Sequence, residues 1–404
     1  MGERIKDLLK YSRQAVVYMT GEITHICRDM KKRAPASEGE REAAKYMADV
    51  LERDCGCSDV RMETFKVHPG SFYGYFYFST ALGLLCVGSF FIRPWLSIVF
   101  GILGLLLFLL HFVLYKKPLD PLFPEKESLN VTAVFPCRKE VRQRVFLCGH
   151  TDAAWEFPLN YHFGGVAFET PGAASFFGTL YFIMLSVISL LGAGAWTHTV
   201  GLCGLIFVPF FILMVFTYNT KVVVDGANDN LSGCYMGITL LSEMKKHGIQ
   251  PEHTELGVIL TGSEEAGTRG AKAWAEAHKN DFKDVSTYIL CFDTIHDPRF
   301  FMVNRKDLNS TVSADEELCD MFIEASEKAG VLCKSGRVPL FGGSTDSAAF
   351  VQGGFRSMCV TALNHVLEDY YHTRRDTYDN MDDGCLENCY KATVMLIDEI
   401  DRNR

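Results

Sequence analysis

The chain has 404 residues, 48% of them hydrophobic, enough for one large α/β domain or two smaller ones with a substantial core. Its net charge of −9 excludes a nucleic-acid binder, which presents a basic face. The 14 cysteines are scattered, several inside apolar runs; with no secretory signal at the start, they read as reduced thiols rather than a disulfide framework. The closest pairs, Cys55/Cys57 and Cys385/Cys389, lack histidines at finger spacing.

In chain order, residues 36–54 form the first clear element, an amphipathic helix capped by Ser37 with Glu40 three residues on. Residues 60–67 (VRMETFKV) alternate as a half-buried strand. Two apolar runs follow, 72–92 and 95–115, with only Arg93-Pro94 between them; a second pair, 175–196 and 199–218, flanks Thr197-His198. Each is about as long as a bilayer-crossing helix, and none contains Asp, Glu, Lys or Arg. The expected organisation is therefore two transmembrane hairpins (72–115 and 175–218) inserted into one α/β domain built from 1–71, 116–174 and 219–404, with the lipid bilayer as a partner. Lysine and arginine crowd the flanks, in Lys31-Lys32-Arg33 and Lys116-Lys117, whereas the tips carry only Arg93 and His198. That asymmetry places the α/β domain on the cytoplasmic side.

Outside the hairpins, short apolar strands at 130–136, 144–150, 222–225, 256–265 and 287–294 alternate with helical patterns, one of them opened by GANDNLSG (226–233). This predicts an α/β fold with a mostly parallel or mixed sheet sandwiched by helices. Several of these strands end in residues that ligate metals: His150 with Asp152, then Asp229, then Glu264 and Glu265, then Asp293. The stretch YYHTRRDT adds His372. Singly, each reads equally well as a turn, a hydrogen-bonded pair or a solvated face. Together, at the C-terminal ends of strands, they converge on one site.

The series GHTDAAW, GANDNLSG, GSEEAGTRGA, FD and HTRRDTYDNMD resembles the aminopeptidase and glutamate-carboxypeptidase family of two-zinc exopeptidases, with every motif in the family's order. The resemblance implies two Zn²⁺ per chain, one held by His150, Asp229 and Asp293, the other by Asp229, Glu265 and His372. It makes Glu264 the general base and sets Asp152 to orient His150. It also implies a cis peptide bond between Asp229 and Asn230 and a peptide substrate. Imidazole and carboxylate ligands suit zinc, and a carboxylate shared by two metals suits hydrolysis by an activated water. Trp155, Glu156 and Tyr371 are candidates to line the pocket. His162, His198 and His365 read as structural or solvent-facing, and Arg374-Arg375 as a solvated pair.

Two departures stand out. The second hairpin separates His150 from Asp229, which the fold tolerates only if the hairpin's ends meet. Family members often carry an oxyanion-stabilising tyrosine where this chain has Phe341 and Gly342; Tyr371, Tyr378 or a backbone N–H are the substitutes in view. An aminopeptidase is the leading expectation, with a carboxypeptidase close behind. A glutaminyl cyclase, an acyltransferase using one zinc, and a non-enzymatic scaffold or receptor are the other classes. Retention of His150 with Asp293 argues against the cyclase, and the complete ligand set against the scaffold. The hairpins either only anchor the domain, hold the site against the bilayer, or build an oligomer.

Overall fold

The computed structural model describes residues 4–364 and 368–403, so His365 lies outside the described residues. At its centre is an eight-stranded sheet made of β1 (Asp59–Val67), β2 (Lys126–Phe135), β3 (Gln143–His150), β4 (Thr254–Thr261), β5 (Ser286–Ile295), β6 (Phe301–Asn304), β7 (Lys334–Gly336) and β8 (Arg356–Ala362). The spatial order is β1-β2-β4-β3-β5-β8-β6-β7. The middle four, β4-β3-β5-β8, run parallel, and antiparallel partners flank them. Parallel strands bury both faces, and β3 shows how: Val145 and Leu147 enter one core while Phe146 and Cys148 enter the other.

Helices cover both faces. On one lie α1 (Ser12–Asp29) and α2 (Glu38–Arg53), which share a single apolar core with three later helices. The four apolar helices come next: α3 (Pro69–Ile92), α4 (Pro94–Val113), α5 (Gly165–Leu190) and α6 (Trp196–Phe216). Then follow α7 (Ser232–Lys246), α8 (Arg269–Ala277), α9 (Glu316–Lys328), α10 (Asp346–Gln352) and α11 (Asp383–Asn403). The later helices that join α1 and α2 are α7, α9 and α11, whereas α8 and α10 cover the opposite face around Trp274 and Phe350. The fold is thus the helix-sheathed α/β sheet expected. All 14 cysteines are free thiols.

The four apolar helices pack on one another around Cys86, Val87, Phe90, Phe182, Leu185 and Phe211. Their outward residues, among them Trp95, Ile102, Phe177, Met184 and Ile206, are exposed. Each is long and apolar enough to cross a membrane. Helices α3 and α5 begin at Pro69 and Gly165, earlier than the apolar runs at 72 and 175. Glu169 and Pro171 lie inside α5, ahead of the apolar run that starts at 175, and Glu169 is exposed.

Two local expectations change. The strand after the second hairpin, Asn219–Val223, does not join the sheet. It pairs antiparallel with Trp155–Glu156 in a separate two-stranded ribbon, with Lys221 exposed. An apolar run of four cannot tell sheet from ribbon. The ribbon joins the two ends of the second hairpin, so His150 and Asp229 come together despite their separation. In the capping box predicted for α2, Ser37 does accept from the Glu40 N–H (3.2 Å), but the Glu40 side chain goes elsewhere: it accepts from the N–H groups of Ala36 (3.0 Å) and Ser263 (2.6 Å) and from the Ser128 hydroxyl (2.8 Å). It braces the turn that precedes Glu264.

Candidate metal centre

Because β3, β4 and β5 are parallel neighbours, their C-terminal ends share one edge of the sheet. His150 is the last residue of β3, Glu264 and Glu265 sit in the turn after β4, and Asp293 lies near the end of β5. Asp229 arrives from the kinked segment Ala227–Leu231 that opens α7, and its peptide bond to Asn230 is cis. His372 comes from the loop before α11, with a left-handed φ of 50°.

These residues form two groups of potential ligands: His150, Asp229 and Asp293, and Asp229, Glu265 and His372. Within each group one ligand atom per residue lies within 4.8 Å of the others. Asp229 belongs to both. Its Oδ1 lies 3.1 Å from His150 Nε2, and its Oδ2 lies 3.1 Å from His372 Nε2. Glu265 Oε1 is 3.2 Å from the same His372 nitrogen. Two ligand atoms about 2.0–2.1 Å from a tetrahedral ion would stand roughly 3.3 Å apart, close to what is seen.

Asp152 is bound to both sides of this centre. Its Oδ1 is 3.4 Å from His150 Nδ1, and its main-chain carbonyl is 3.2 Å from the same nitrogen. The same carboxylate accepts the N–H groups of Glu264 (2.9 Å) and Glu265 (3.0 Å), which fixes the turn holding both glutamates. Three supports give no signal in the sequence. Asp376 accepts the N–H groups of Asn228 (2.8 Å) and Asp229 (3.1 Å). Buried Arg33, counted above among the positive flanks, donates instead to the carbonyls of Thr151 (2.9 Å) and Gly226 (3.0 Å). Glu40 is the third.

The electrostatics ask for cations. Burial pushes the Glu264 carboxyl well above its usual range, and burial with the Asp229 charge pushes Asp293 up to about 7. Asp229 goes the other way: against the cost of its burial, the facing imidazoles of His150 and His372 hold it well below the usual carboxylate range. Glu265 and Asp229 overcome burial at His372 and push it up to about 10. Four carboxylates and two imidazoles so crowded are costly without a compensating charge. Glu265 Oε1 is buried without a hydrogen-bond partner. Oxygen and imidazole donors of this kind fit zinc.

Around the centre, Phe157 donates its N–H to the His372 carbonyl (2.7 Å), and its ring centroid lies 4.5 Å from the imidazole. Tyr371 stacks on His372 at 4.1 Å. Trp155 packs edge-on against Tyr73 of α3. The Glu156 carboxylate is taken by Arg374, bidentate at 2.6 and 2.7 Å, while Arg374 and Arg375 are both exposed, as the solvated pair expected. His162 and His198 are exposed. Phe341 points to the four apolar helices, 5.3 Å from Phe108 and 6.3 Å from Phe176.

Residues 214–397 match the family described as Peptidase family M28. Similar solved structures include an aminopeptidase from Aneurinibacillus sp. strain AM-1, 13% identical, with a TM-score of 0.57 over 97% of this chain and 95% of that one. A zinc aminopeptidase from Bacillus subtilis is 11% identical, with a TM-score of 0.56 over 95% of each chain. A glutaminyl cyclase from Fimbriiglobus ruber is also 11% identical, with a TM-score of 0.55 over 96% of this chain and 94% of that one. At such identities the likeness is one of fold. No curated protein matches the chain in sequence.

Proposed function

We propose that this chain, a relative of the M28 peptidases, is a membrane-anchored metallo-exopeptidase, specifically an aminopeptidase acting on short peptides at the cytoplasmic face. The observation that supports this reading is the pair of three-ligand groups sharing Asp229. In it, His150, Asp229 and Asp293 hold one zinc, and Asp229, Glu265 and His372 hold the other. When bound, such a pair supplies Lewis acidity, polarising a peptide carbonyl and making a water acidic near neutral pH.

The chain's own groups do the rest. Glu264 takes the proton of the attacking water and hands it to the leaving amine. Its position suits that role: the carboxylate stands 4.0 Å from His150 Nε2, at the edge of the cluster, and Asp152 fixes its main chain. Asp152 also orients His150 from behind, the usual task of a carboxylate paired to a ligating imidazole. The four apolar helices anchor the domain in the bilayer. The positive residues beside them, Lys116 and Lys117 included, favour the cytoplasmic side. The choice of the amino end follows the resemblance to aminopeptidases.

The test is metal content and turnover of a panel of aminoacyl and acyl-peptide amides, wild type beside Glu264→Gln in detergent. Two zinc ions per chain in both proteins are expected, with kcat about 10²–10⁴-fold lower in the variant. One metal with cyclisation of N-terminal glutamine would move the reading to a glutaminyl cyclase. No metal and no turnover would leave a scaffold.

A further inference from the structure

Acyl transfer puts a negative charge on the carbonyl oxygen, and a fixed donor aimed at that oxygen is a large source of rate. The loop that runs into Thr345 and Asp346 offers no phenol, since its aromatic residue, Phe341, is turned toward Phe108 and Phe176. A phenol reaches this loop from another part of the chain. A Cβ built on Gly343 would lie 3.5 Å from the Tyr115 hydroxyl. Tyr115 follows the end of α4, the closing helix of the first membrane hairpin.

Four features set Tyr115 apart. Its φ is +46°, a left-handed conformation that is rare for an aromatic residue and clusters at functional sites. The residue is buried, only 8% exposed. The surroundings are rigid. Asn309 donates its side-chain amide to the carbonyls of Phe112 (3.0 Å) and Val113 (3.2 Å), and exchanges hydrogen bonds with Gly343 (2.7 and 3.0 Å), so one residue pins both the hairpin end and the loop. Lys272 donates to the Tyr115 carbonyl (3.1 Å), with its ammonium 5.2 Å from the ring centroid. Finally, the ring packs edge-on against Phe72 at 4.9 Å, and Phe72 abuts Gly267, whose N–H bonds to the Glu264 carbonyl (2.7 Å).

We propose that Tyr115, supplied by the membrane hairpin, is a catalytic residue whose hydroxyl donates to the substrate's carbonyl oxygen as that oxygen becomes an oxyanion. This rests on the exopeptidase reading above. As the water oxygen bonds to the carbonyl carbon, the π pair moves onto the carbonyl oxygen and is held by the Tyr115 O–H. Glu264 meanwhile holds the water's proton, and collapse expels the amine with that proton. Tyr115 keeps its own proton throughout. A phenol is un-ionised at neutral pH, so Tyr115 remains a donor. Tyr371 is instead stacked on His372, and Asp229 is the acidic group that acts on it most. On this reading the hairpin is part of the active site as well as an anchor.

The experiment compares wild type, Tyr115→Phe and Tyr371→Phe in detergent. It measures zinc content, kcat and KM on the best amide of the panel, and inhibition by a phosphonate peptide, which mimics the tetrahedral state, against inhibition by product amino acid. For Tyr115→Phe we expect zinc content and KM within about twofold of wild type and kcat about 10²-fold lower. Phosphonate binding should weaken by the same factor, and product binding should not change. The proposal is overturned if Tyr115→Phe keeps kcat within threefold, if both inhibitors weaken equally, or if Tyr371→Phe shows the larger kcat loss. Should Tyr115→Phe fold poorly, the ratio of the two inhibition constants on the folded fraction still decides. A wild type that turns over no amide overturns the reading beneath it.

Discussion

The two hairpins are fastened to the α/β domain by different physics. The first is bolted by a buried ion pair: Arg269, 4% exposed, donates to both oxygens of Asp120 at 2.9 and 3.1 Å, and the Ser71 hydroxyl donates to the same carboxylate at 2.6 Å. Arg269 belongs to α8, just past the turn that carries Glu264 and Glu265, so the bolt ties the base of α3 to that turn. The second hairpin is held by the short ribbon at its ends, by Phe157 stacked on Phe168 at 4.3 Å, and by the Glu156–Arg374 pair, whose carboxylate is buried but whose guanidinium is half exposed. A pair desolvated on both sides is costly to break, whereas stacked rings and a pair whose cation reaches solvent give way more gradually. The first hairpin should therefore be locked to the site, and the second should be the more yielding.

The sharpest way to break this contrast is Arg269→Leu. It leaves the Asp120 carboxylate without its partner in a largely buried position, and such a loss costs about 3–5 kcal/mol. We expect a correspondingly lower midpoint for unfolding in detergent. Zinc affinity should fall with it, because the turn bearing Glu265 loses its fixed neighbour. A loss below about 1 kcal/mol would mean that the pair is open to solvent and that the first hairpin is no more firmly held than the second.

A smaller effect separates the apolar helix bundle from its attachments. The hairpins meet where glycines leave room: a Cβ on Gly101 would stand 2.5 Å from the Ile183 side chain, and one on Gly201 2.3 Å from Phe90. Close approach at small residues is how membrane helices pack without a hydrophobic driving force. Gly101→Val overfills that contact and should cost about 1–3 kcal/mol in detergent unfolding, with zinc content unchanged. If zinc is lost as well, the bundle and the α/β domain form one cooperative unit, and the contrast between the hairpins is local.

Much of this could be read from the sequence because it lies in runs. Each ligand follows an apolar strand or a recognisable motif, and four uncharged stretches announce four helices. What could not be read lies in contacts between distant residues with no local pattern. Arg33 reads as one more positive flank, yet it is buried against Thr151 and Gly226. Glu40 reads as a cap and braces the turn before Glu264 instead. The strand at 219–223 has the composition of a sheet strand but pairs outside the sheet, since periodicity records which residues are apolar and not what they meet. Tyr115 is only the last letter of an apolar run until its hydroxyl is placed against Gly343.

The smallest effect tests the fastening of the second hairpin. Glu156 is held below the usual carboxylate range chiefly by its hydrogen bonds to Arg374, with burial acting the other way. A lowered carboxylate pKa contributes stability at pH values above the unfolded value of about 4.3, and the contribution is lost as pH falls through the folded value. Glu156 is buried but Arg374 is half exposed, so solvent screens the pair and reaches the carboxylate once the guanidinium is removed. Arg374→Met should therefore lower the melting midpoint by only about 1–3 °C at pH 7, and the difference from wild type should shrink toward zero below about pH 4. A deficit that stays constant with pH would have another origin, because the Arg374 guanidinium also lies over the Tyr161 ring at 4.7 Å, and that stacking does not depend on a carboxylate. In that case the second hairpin is moored by aromatic contacts alone, and the contrast with the charge-bolted first hairpin becomes sharper.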